Sequence, residues 1–298
     1  FMEAVNVAVI GVTGAVGEVM LEILESRNFP VDTLFPLASA RSAGETVQFR
    51  GKRHTVQDLS EFDFSQTPIA LFSAGGDISA EFAPIAAAAG CVVIDNTSHF
   101  RRDAEIPLVV PEVNPEAISN YRNRGIIANP NCSTIGMLVA LKPIYDAVGI
   151  ERINVATYQA VSGTGKAAIE ELAGQTARLL NGKPAEPDVY SQQIAFNALP
   201  HIDSFHDNGY TREEMKMVWE TQKILGDDSV SVNPTCVRVP VFFGHAEAVH
   251  IETRESMTAD AARAAGIFPP APLLGDDVVA LPADFLGRVV VGGIGHVR

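Results

Sequence analysis

With 298 residues, 47% of them hydrophobic and 19% charged, the chain has material for more than one buried core and does not read as disordered or fibrous. Asp and Glu outnumber Lys and Arg by 36 to 22, a formal net charge of −14, with no run of five basic residues, so nucleic acid is not an expected partner. The longest nearly unbroken apolar run, residues 82–94, is shorter than the ~20 residues a membrane span needs.

Cys91, Cys132 and Cys236 have no C-x-x-C spacing, which disfavours a disulfide framework or a metal site and makes a reducing, cytoplasmic setting the expectation. Phe1-Met2-Glu3 leads straight into an apolar strand, so a secretory signal is not expected.

The first strand is expected at residues 5–10, followed by Gly11-Val-Thr-Gly14-Ala-Val-Gly17 and a helix through Ser26. Apolar, β-branched strand candidates follow at 34–38, 69–73, 92–95, 108–110 and 126–129, with helical stretches at 78–89 and 115–122 and a polar hairpin at 44–54. Strands alternating with helices predict an α/β, Rossmann-like doubly wound parallel sheet over residues 1–130.

From 131 to 298 the character changes. A helix is expected over 133–148, kinked or shortened by Pro143. Longer strands at 152–161, 229–240 and 246–253, with helices at 166–181 and 211–225, predict an α+β domain on an antiparallel or mixed sheet. The segment 268–282, rich in Pro and Gly, reads as loop.

A glycine-spaced turn between a first strand and a helix presents backbone N–H groups and the positive helix end to a pyrophosphate. Its place in the first βα unit favours a dinucleotide over a plain tight turn. NAD sites tend to carry an acidic residue at the end of the second strand, whereas this chain has Ser39-Ala-Arg41-Ser42 there. A guanidinium and two hydroxyls suit a 2′-phosphate, so NADP is the expected cofactor, with a solvated loop arginine as the plain alternative. Ser73-Ala-Gly75-Gly76 ends another apolar strand and would line the same crevice. Ser162-Gly163-Thr-Gly165-Lys166 is no Walker loop, because Ala160 and Ala167 stand where the motif needs Gly and Ser or Thr.

Asn129-Pro-Asn131-Cys132-Ser133-Thr134 places a cysteine where a strand gives way to a helix, a setting that stabilises a thiolate and makes Cys132 the candidate nucleophile. Cys91 reads as a buried spectator, and Cys236 is left open. Arg238-Val-Pro-Val-Phe-Phe-Gly-His245 offers a proton-transfer histidine beyond a glycine turn, sharing its strand face with Val249 and Ile251, although a satisfied core histidine fits the same pattern. Arg238, set among valines, would need an anionic partner, either a substrate carboxylate or an internal acid.

These segments, with Asp-Asn-Thr-Ser-x-Phe-Arg (95–101), Pro-Leu-Val-Val-Pro-Glu-Val-Asn (107–114), Tyr-Gln-Ala-Val-Ser-Gly (158–163), Pro-His-Ile-Asp (200–203) and Gly-Tyr-Thr-Arg-Glu-Glu-Met-Lys (209–216), occur in the order found in aspartate-β-semialdehyde dehydrogenases. The chain resembles that family from near residue 1 to about Thr253. The resemblance implies NADPH-dependent reductive dephosphorylation of L-aspartyl-4-phosphate to aspartate-4-semialdehyde through a Cys132 thioacyl enzyme, serving lysine/diaminopimelate, threonine, methionine and isoleucine biosynthesis.

It further implies His245 as general acid/base, Gln159 orienting the acyl group, and Arg238 on the substrate α-carboxylate. Arg101 and Lys216 match the phosphate-binding pair, with Glu213 and Asn131 assisting at the substrate. Gly11, Thr13, Gly14, Ala15, Val16, Ser39, Arg41, Ser42, Ser73 and Gly75 would hold NADP, with Ser162 and Gly163 near the nicotinamide. No metal is implied, and a homodimer is usual. Without the resemblance, Lys216 pairing with Glu213 at i,i+3 on an exposed helix face explains both residues. The family's closing helix, entered through an Asp-Asn-x-x-Lys-Gly-like segment, is expected to be absent, since Gly295-His-Val-Arg298 does not match it. Alternatives are a catalytically impaired dinucleotide-binding homologue and N-acetyl-γ-glutamyl-phosphate reductase, whose cysteine sits in a different Asn-Pro-Gly-Cys setting.

Overall fold

The structure is a computed structural model that describes residues 3–265 and 289–294. The loop expected at 268–282 and the chain end at 295–298 lie outside these described residues. The chain divides into two compact units, Phe1–Pro130 and Asn131–Arg298.

In the first unit β1 (Val5–Ile10) feeds the glycine turn and α1 (Ala15–Ser26), then β2 (Val31–Ala38). A hairpin of β3 (Thr46–Phe49) and β4 (Lys52–Thr55) precedes the short β5 (Gln57–Asp58). β6 (Ile69–Phe72), α2 (Gly76–Ala88), β7 (Val92–Asp95) and β8 (Ile126–Ala128) complete the unit. Six strands form one sheet in the order β5-β2-β1-β6-β7-β8, every pair parallel. The sequence direction reverses between β1 and β6, the switch point at whose carboxyl ends open α/β sheets bind ligands. Val7, Val9, Leu21, Val31 and Leu34 form the core in which α1 packs on the sheet.

Two expectations need correction here. Residues 108–110 form no strand; Leu108 makes a single bridge to Ala128, because the segment soon turns away under the Asn114 side chain, which bonds Leu108 and Val110. The stretch at 115–122 is a 3-10 helix, Pro115–Asn123, with no buried residue, so no apolar stripe holds it in α geometry.

The second unit starts with α3 (Cys132–Val148), β9 (Ile150–Gln159), α4 (Lys166–Leu180), α5 (Arg212–Leu225), β10 (Ser231–Arg238) and β11 (His245–Thr253), followed by α6 (Ala259–Ala264) and β12 (Val289–Ile294). The sheet order is β10-β9-β11-β12, with β10 parallel and β11 antiparallel to β9, hence mixed. Pro234 is tolerated because β10 is an edge strand. Next to it, the outward Cys236 N–H donates to Glu214 Oε1 at 3.0 Å, and Leu199 exchanges two backbone bonds with Arg238, so this edge is covered.

Pro143 neither shortens nor ends α3, which continues to Val148. Met137, Leu138, Leu141 and Ile144 are buried on both sides of the proline, and that burial offsets the missing hydrogen bond.

The glycine turn is the tightest feature of the first unit. Gly11 has φ +81°, and a Cβ at Gly17 would lie 2.3 Å from the Gly11 carbonyl oxygen. Gly17→Ala is therefore expected to destabilise the protein by about 1–3 kcal/mol through overpacking between α1 and β1, measured as a lowered urea midpoint with unchanged slope; a neutral midpoint would contradict this packing.

Candidate functional site

The first unit gathers one group of expected residues. Gly11, Ser39, Ser73 and Asn96 each follow the last residue of β1, β2, β6 and β7, so in a parallel sheet they share one end. Gly11 N–H donates to Leu37 O at 2.9 Å, and both Ser73 N–H and Ser73 Oγ donate to Ile10 O at 3.0 Å, which ties the three loops together. A Cβ on Gly11 would lie 2.9 Å from Ala74 N, so the turn and the Ser73–Gly75 loop approach as closely as backbone allows.

Gly14 and Gly75 are the N-caps of α1 and α2, and neither supplies a side-chain acceptor. The first turn of α1, with Ala15 and Val16, therefore offers its positive end to an anion. This arrangement fits a dinucleotide pyrophosphate. In the turn after β2 the Ser42 and Ala43 N–H groups both donate to Ser39 O, leaving Arg41 exposed and Ser42 buried.

Arg101 also belongs to this end of the first unit. Asp95, fully buried, accepts bonds from Ser79 Oγ (2.8 Å), Thr97 N (3.0 Å) and Thr97 Oγ1 (2.9 Å), which fold residues 95–97 into a tight turn. Arg101 NH2 donates to Asn96 O at 3.0 Å, beneath that turn, and the side chain is buried.

The second unit gathers the rest. Gln159, Arg238 and His245 occupy one level of three adjacent strands, because Arg238 and His245 are both Cα partners of Gln159. Arg238 is 4% exposed; its NH1 donates to Ala160 O at 2.6 Å, while Nε has no hydrogen-bond partner among the described residues. The internal-acid explanation for Arg238 thus finds no support in the bond its guanidinium makes, which runs to a backbone carbonyl.

The Ala160 N–H donates to His245 Nδ1 at 3.0 Å, which leaves Nε2 as the nitrogen able to deliver a proton. Burial pushes the His245 pKa down, with the nearby Arg238 charge adding to it; a bond with the Gly244 backbone and the Glu213 charge oppose without cancelling. Gly163, in the 3-10 turn Val161–Thr164, sits against this pair: a Cβ there would be 3.1 Å from Arg238 NH1 and 3.5 Å from His245 Nε2. Ser162 occupies the same turn.

Asn131 caps α3, its Oδ1 accepting from Ser133 N (3.0 Å) and Thr134 N (3.3 Å), and Cys132 is the first helical residue with an exposed side chain. The Asn131 amide donates to Glu213 Oε1 at 2.8 Å, and Gln159 Nε2 donates to the same oxygen at 3.0 Å. Lys216 Nζ donates to Glu213 Oε2 (2.9 Å) and Asp203 Oδ2 (3.2 Å). The Lys216 side chain is only 17% exposed, so the solvated-face explanation of the Glu213–Lys216 pair is incorrect; tertiary packing of α5 closes over it. Burial would raise the Glu213 pKa, but the Lys216 ammonium and the bonds from Gln159 and Asn131 hold it below the usual carboxylate range.

Residues that motif reading passed over complete the set. Glu220 Oε2 accepts the Asn131 backbone N–H at 2.6 Å, Thr157 Oγ1 donates to Gln159 Oε1 at 3.0 Å, and Asp203 extends the Lys216 pairing. The available signal was the helical spacing: Glu213 and Glu220 lie seven residues apart on the face that carries Met217 and Ile224, so two acids fall on an apolar stripe. Among the described residues no group of three or more His, Cys, Asp or Glu is placed to hold a metal ion, and no helix is long and apolar enough to cross a membrane.

Family models for the semialdehyde dehydrogenase NAD binding domain and the semialdehyde dehydrogenase dimerisation domain match residues 6–121 and 141–276. Aspartate-semialdehyde dehydrogenase 2 of Vibrio cholerae serotype O1 is 73% identical over 255 residues, covering 86% of this chain and 76% of the relative. The chain belongs to the aspartate-semialdehyde dehydrogenase family. A crystal structure of aspartate semialdehyde dehydrogenase II from Vibrio cholerae complexed with ASA superposes with TM-score 0.93 at 60% identity, covering 99% of this family member and 93% of that chain. A more distant dehydrogenase of the family, from Candida albicans with NADP, superposes with TM-score 0.69 at 26% identity, covering 88% and 76%. The first unit of this semialdehyde dehydrogenase is accordingly a nicotinamide-dinucleotide-binding domain.

The exposure of Cys132 contrasts with the other two thiols, which burial pushes up to about 11 at Cys91 and about 12 at Cys236. Iodoacetamide is expected to modify Cys132 alone in the native protein, and Cys91 and Cys236 only after unfolding, as read by peptide mass spectrometry. Glu247 shares the inward face of β11 with His245, and burial holds its carboxyl up at about 8, against an ordinary value of 4.5. The folded state then keeps a proton that the unfolded chain releases, so the contribution of Glu247 to stability falls as pH rises from 4.5 to about 8. Glu247→Gln is expected to flatten that decline in urea midpoints measured across the window; an unchanged slope would show that this carboxyl is ionised in the fold.

Proposed function

We propose that this chain catalyses the reversible, NADPH-dependent reductive dephosphorylation of L-aspartyl-4-phosphate to L-aspartate-4-semialdehyde. The observation that carries the reading is an exposed cysteine at the first position of α3, whose N-cap is bonded into the Glu213–Gln159–Lys216 network. Sulfur at this position attacks the acyl carbon, an S–C bond forms, and the C–O bond to phosphate breaks.

Gln159 orients the acyl group, its own orientation set by Thr157 and Glu213. Arg238 receives the α-carboxylate; a buried guanidinium whose Nε lacks a partner among the described residues suits a bidentate anion. Lys216 and Arg101 serve phosphate, with Glu213 and Asn131 assisting at the substrate. When bound, the reduced nicotinamide supplies hydride to the acyl carbon. As the C–S bond breaks and the aldehyde carbonyl re-forms, His245 Nε2 hands a proton to the departing sulfur.

Gly11, Thr13, Gly14, Ala15, Val16, Ser73 and Gly75 would hold the pyrophosphate side of the cofactor. Ser39, Arg41 and Ser42 would hold a 2′-phosphate, which favours NADP over NAD, and Ser162 and Gly163 would stand beside the nicotinamide. The match of residues 141–276 to a dimerisation domain supports a homodimer. The activity would serve lysine/diaminopimelate, threonine, methionine and isoleucine biosynthesis in the cytoplasm.

A phosphate-dependent assay on aspartate semialdehyde, run with NADP and NAD in parallel, tests the reading. Turnover is expected with preference for NADP, and Cys132→Ala is expected to abolish turnover while NADPH binding, followed by fluorescence, persists. Activity of that variant equal to the unsubstituted chain would refute the cysteine mechanism, and equal rates with both dinucleotides would remove the role given to Arg41.

A further inference from the structure

We propose that Glu220 is a positioning residue for the Cys132 nucleophile: from the buried face of α5 it holds the backbone N–H of Asn131 and thereby fixes the point at which α3 begins. The proposal rests on the reading of Cys132 as the nucleophile.

A helix start leaves four backbone N–H groups without intrahelical partners. At α3 the Asn131 side chain takes those of Ser133 and Thr134, and Glu220 Oε2 takes that of Asn131 itself at 2.6 Å. Glu220 is 2% exposed, so its carboxylate stays buried by accepting such bonds rather than by keeping water. The second grip on the same residue comes from Glu213, which takes the Asn131 side-chain amide at 2.8 Å.

Two acids on one face of α5 thus hold the backbone and the side chain of one asparagine. With both in place the N-cap can neither rotate nor slide, and the next residue in the chain is Cys132. Without the Glu220 acceptor the side-chain grip remains, but the peptide plane leading into Asn131, one residue ahead of Cys132, is free to tilt.

The test compares three variants by steady-state kinetics on aspartate semialdehyde and by iodoacetamide alkylation of Cys132 in the full chain. Since misplacement of a reacting group by about 1 Å costs on the order of 100-fold, Glu220→Ala is expected to lower kcat about 10- to 100-fold with KM within about twofold. Alkylation should slow in parallel.

Glu220→Gln keeps an oxygen acceptor at the same reach and is expected to restore both readouts to within about threefold. Glu220→Asp keeps the carboxyl group but withdraws the acceptor by one methylene, and is expected to resemble the alanine variant; it also serves if the alanine chain does not fold. Alkylation of the alanine or aspartate variant at the unsubstituted rate would overturn the proposal, as would a glutamine variant as slow as alanine. If the unsubstituted chain turns over no aspartate semialdehyde, the functional reading fails by itself, and the alkylation series still decides the role of Glu220.

Discussion

Asn131 commits every polar group it has. Its backbone N–H goes to Glu220, its side-chain amide to Glu213, its side-chain oxygen to the first free N–H groups of α3, and its carbonyl to Ile135. The chemistry proposed for the second unit depends on this one residue, because it joins the start of the cysteine-bearing helix to the buried face of α5. Glu213 extends the connection to Gln159 on the sheet and to Lys216 on its own helix. The result is a polar network inside an otherwise apolar packing, and every bond in it reduces the cost of burying the carboxylates.

Strand register supplies the other half of the arrangement. Gln159, Arg238 and His245 come from distant points in the chain, yet β9, β10 and β11 bring them to one level. Farther along the same inward face the residues become apolar, with Val155, Val249 and Ile251 buried. The sheet is therefore amphipathic along its strands, polar at the end where the chemistry is proposed and hydrocarbon at the other. A one-residue slip of any of these strands would send its member of the trio to the opposite face.

The first unit meets a different constraint, close approach of backbone. Its dinucleotide crevice is shaped less by side chains than by what is missing from Gly11, Gly14 and Gly17, where an added Cβ would lie 2.9, 3.2 and 2.3 Å from backbone atoms. Ser73 then joins the β6 loop to the end of β1 by two bonds to one carbonyl, Ile10 O, while Gly11 N–H ties the turn to the end of β2 through Leu37 O.

Much of this was legible from residues in a row. The glycine turn, the alternation of strand and helix, the cysteine after Asn-Pro-Asn and the mixed character of the second sheet are local patterns with local causes, and the family match of both units agrees with them. What needed tertiary structure was pairing at a distance. Glu220 meets Asn131 across 89 positions of chain, and no spacing rule connects an acid on one helix to the backbone of another helix's cap. The depth at which Lys216 lies and the passage of α3 through Pro143 were decided likewise by burial. Neither is encoded in a window of neighbouring residues, because propensity is a property of the local chain, whereas desolvation belongs to the packed fold.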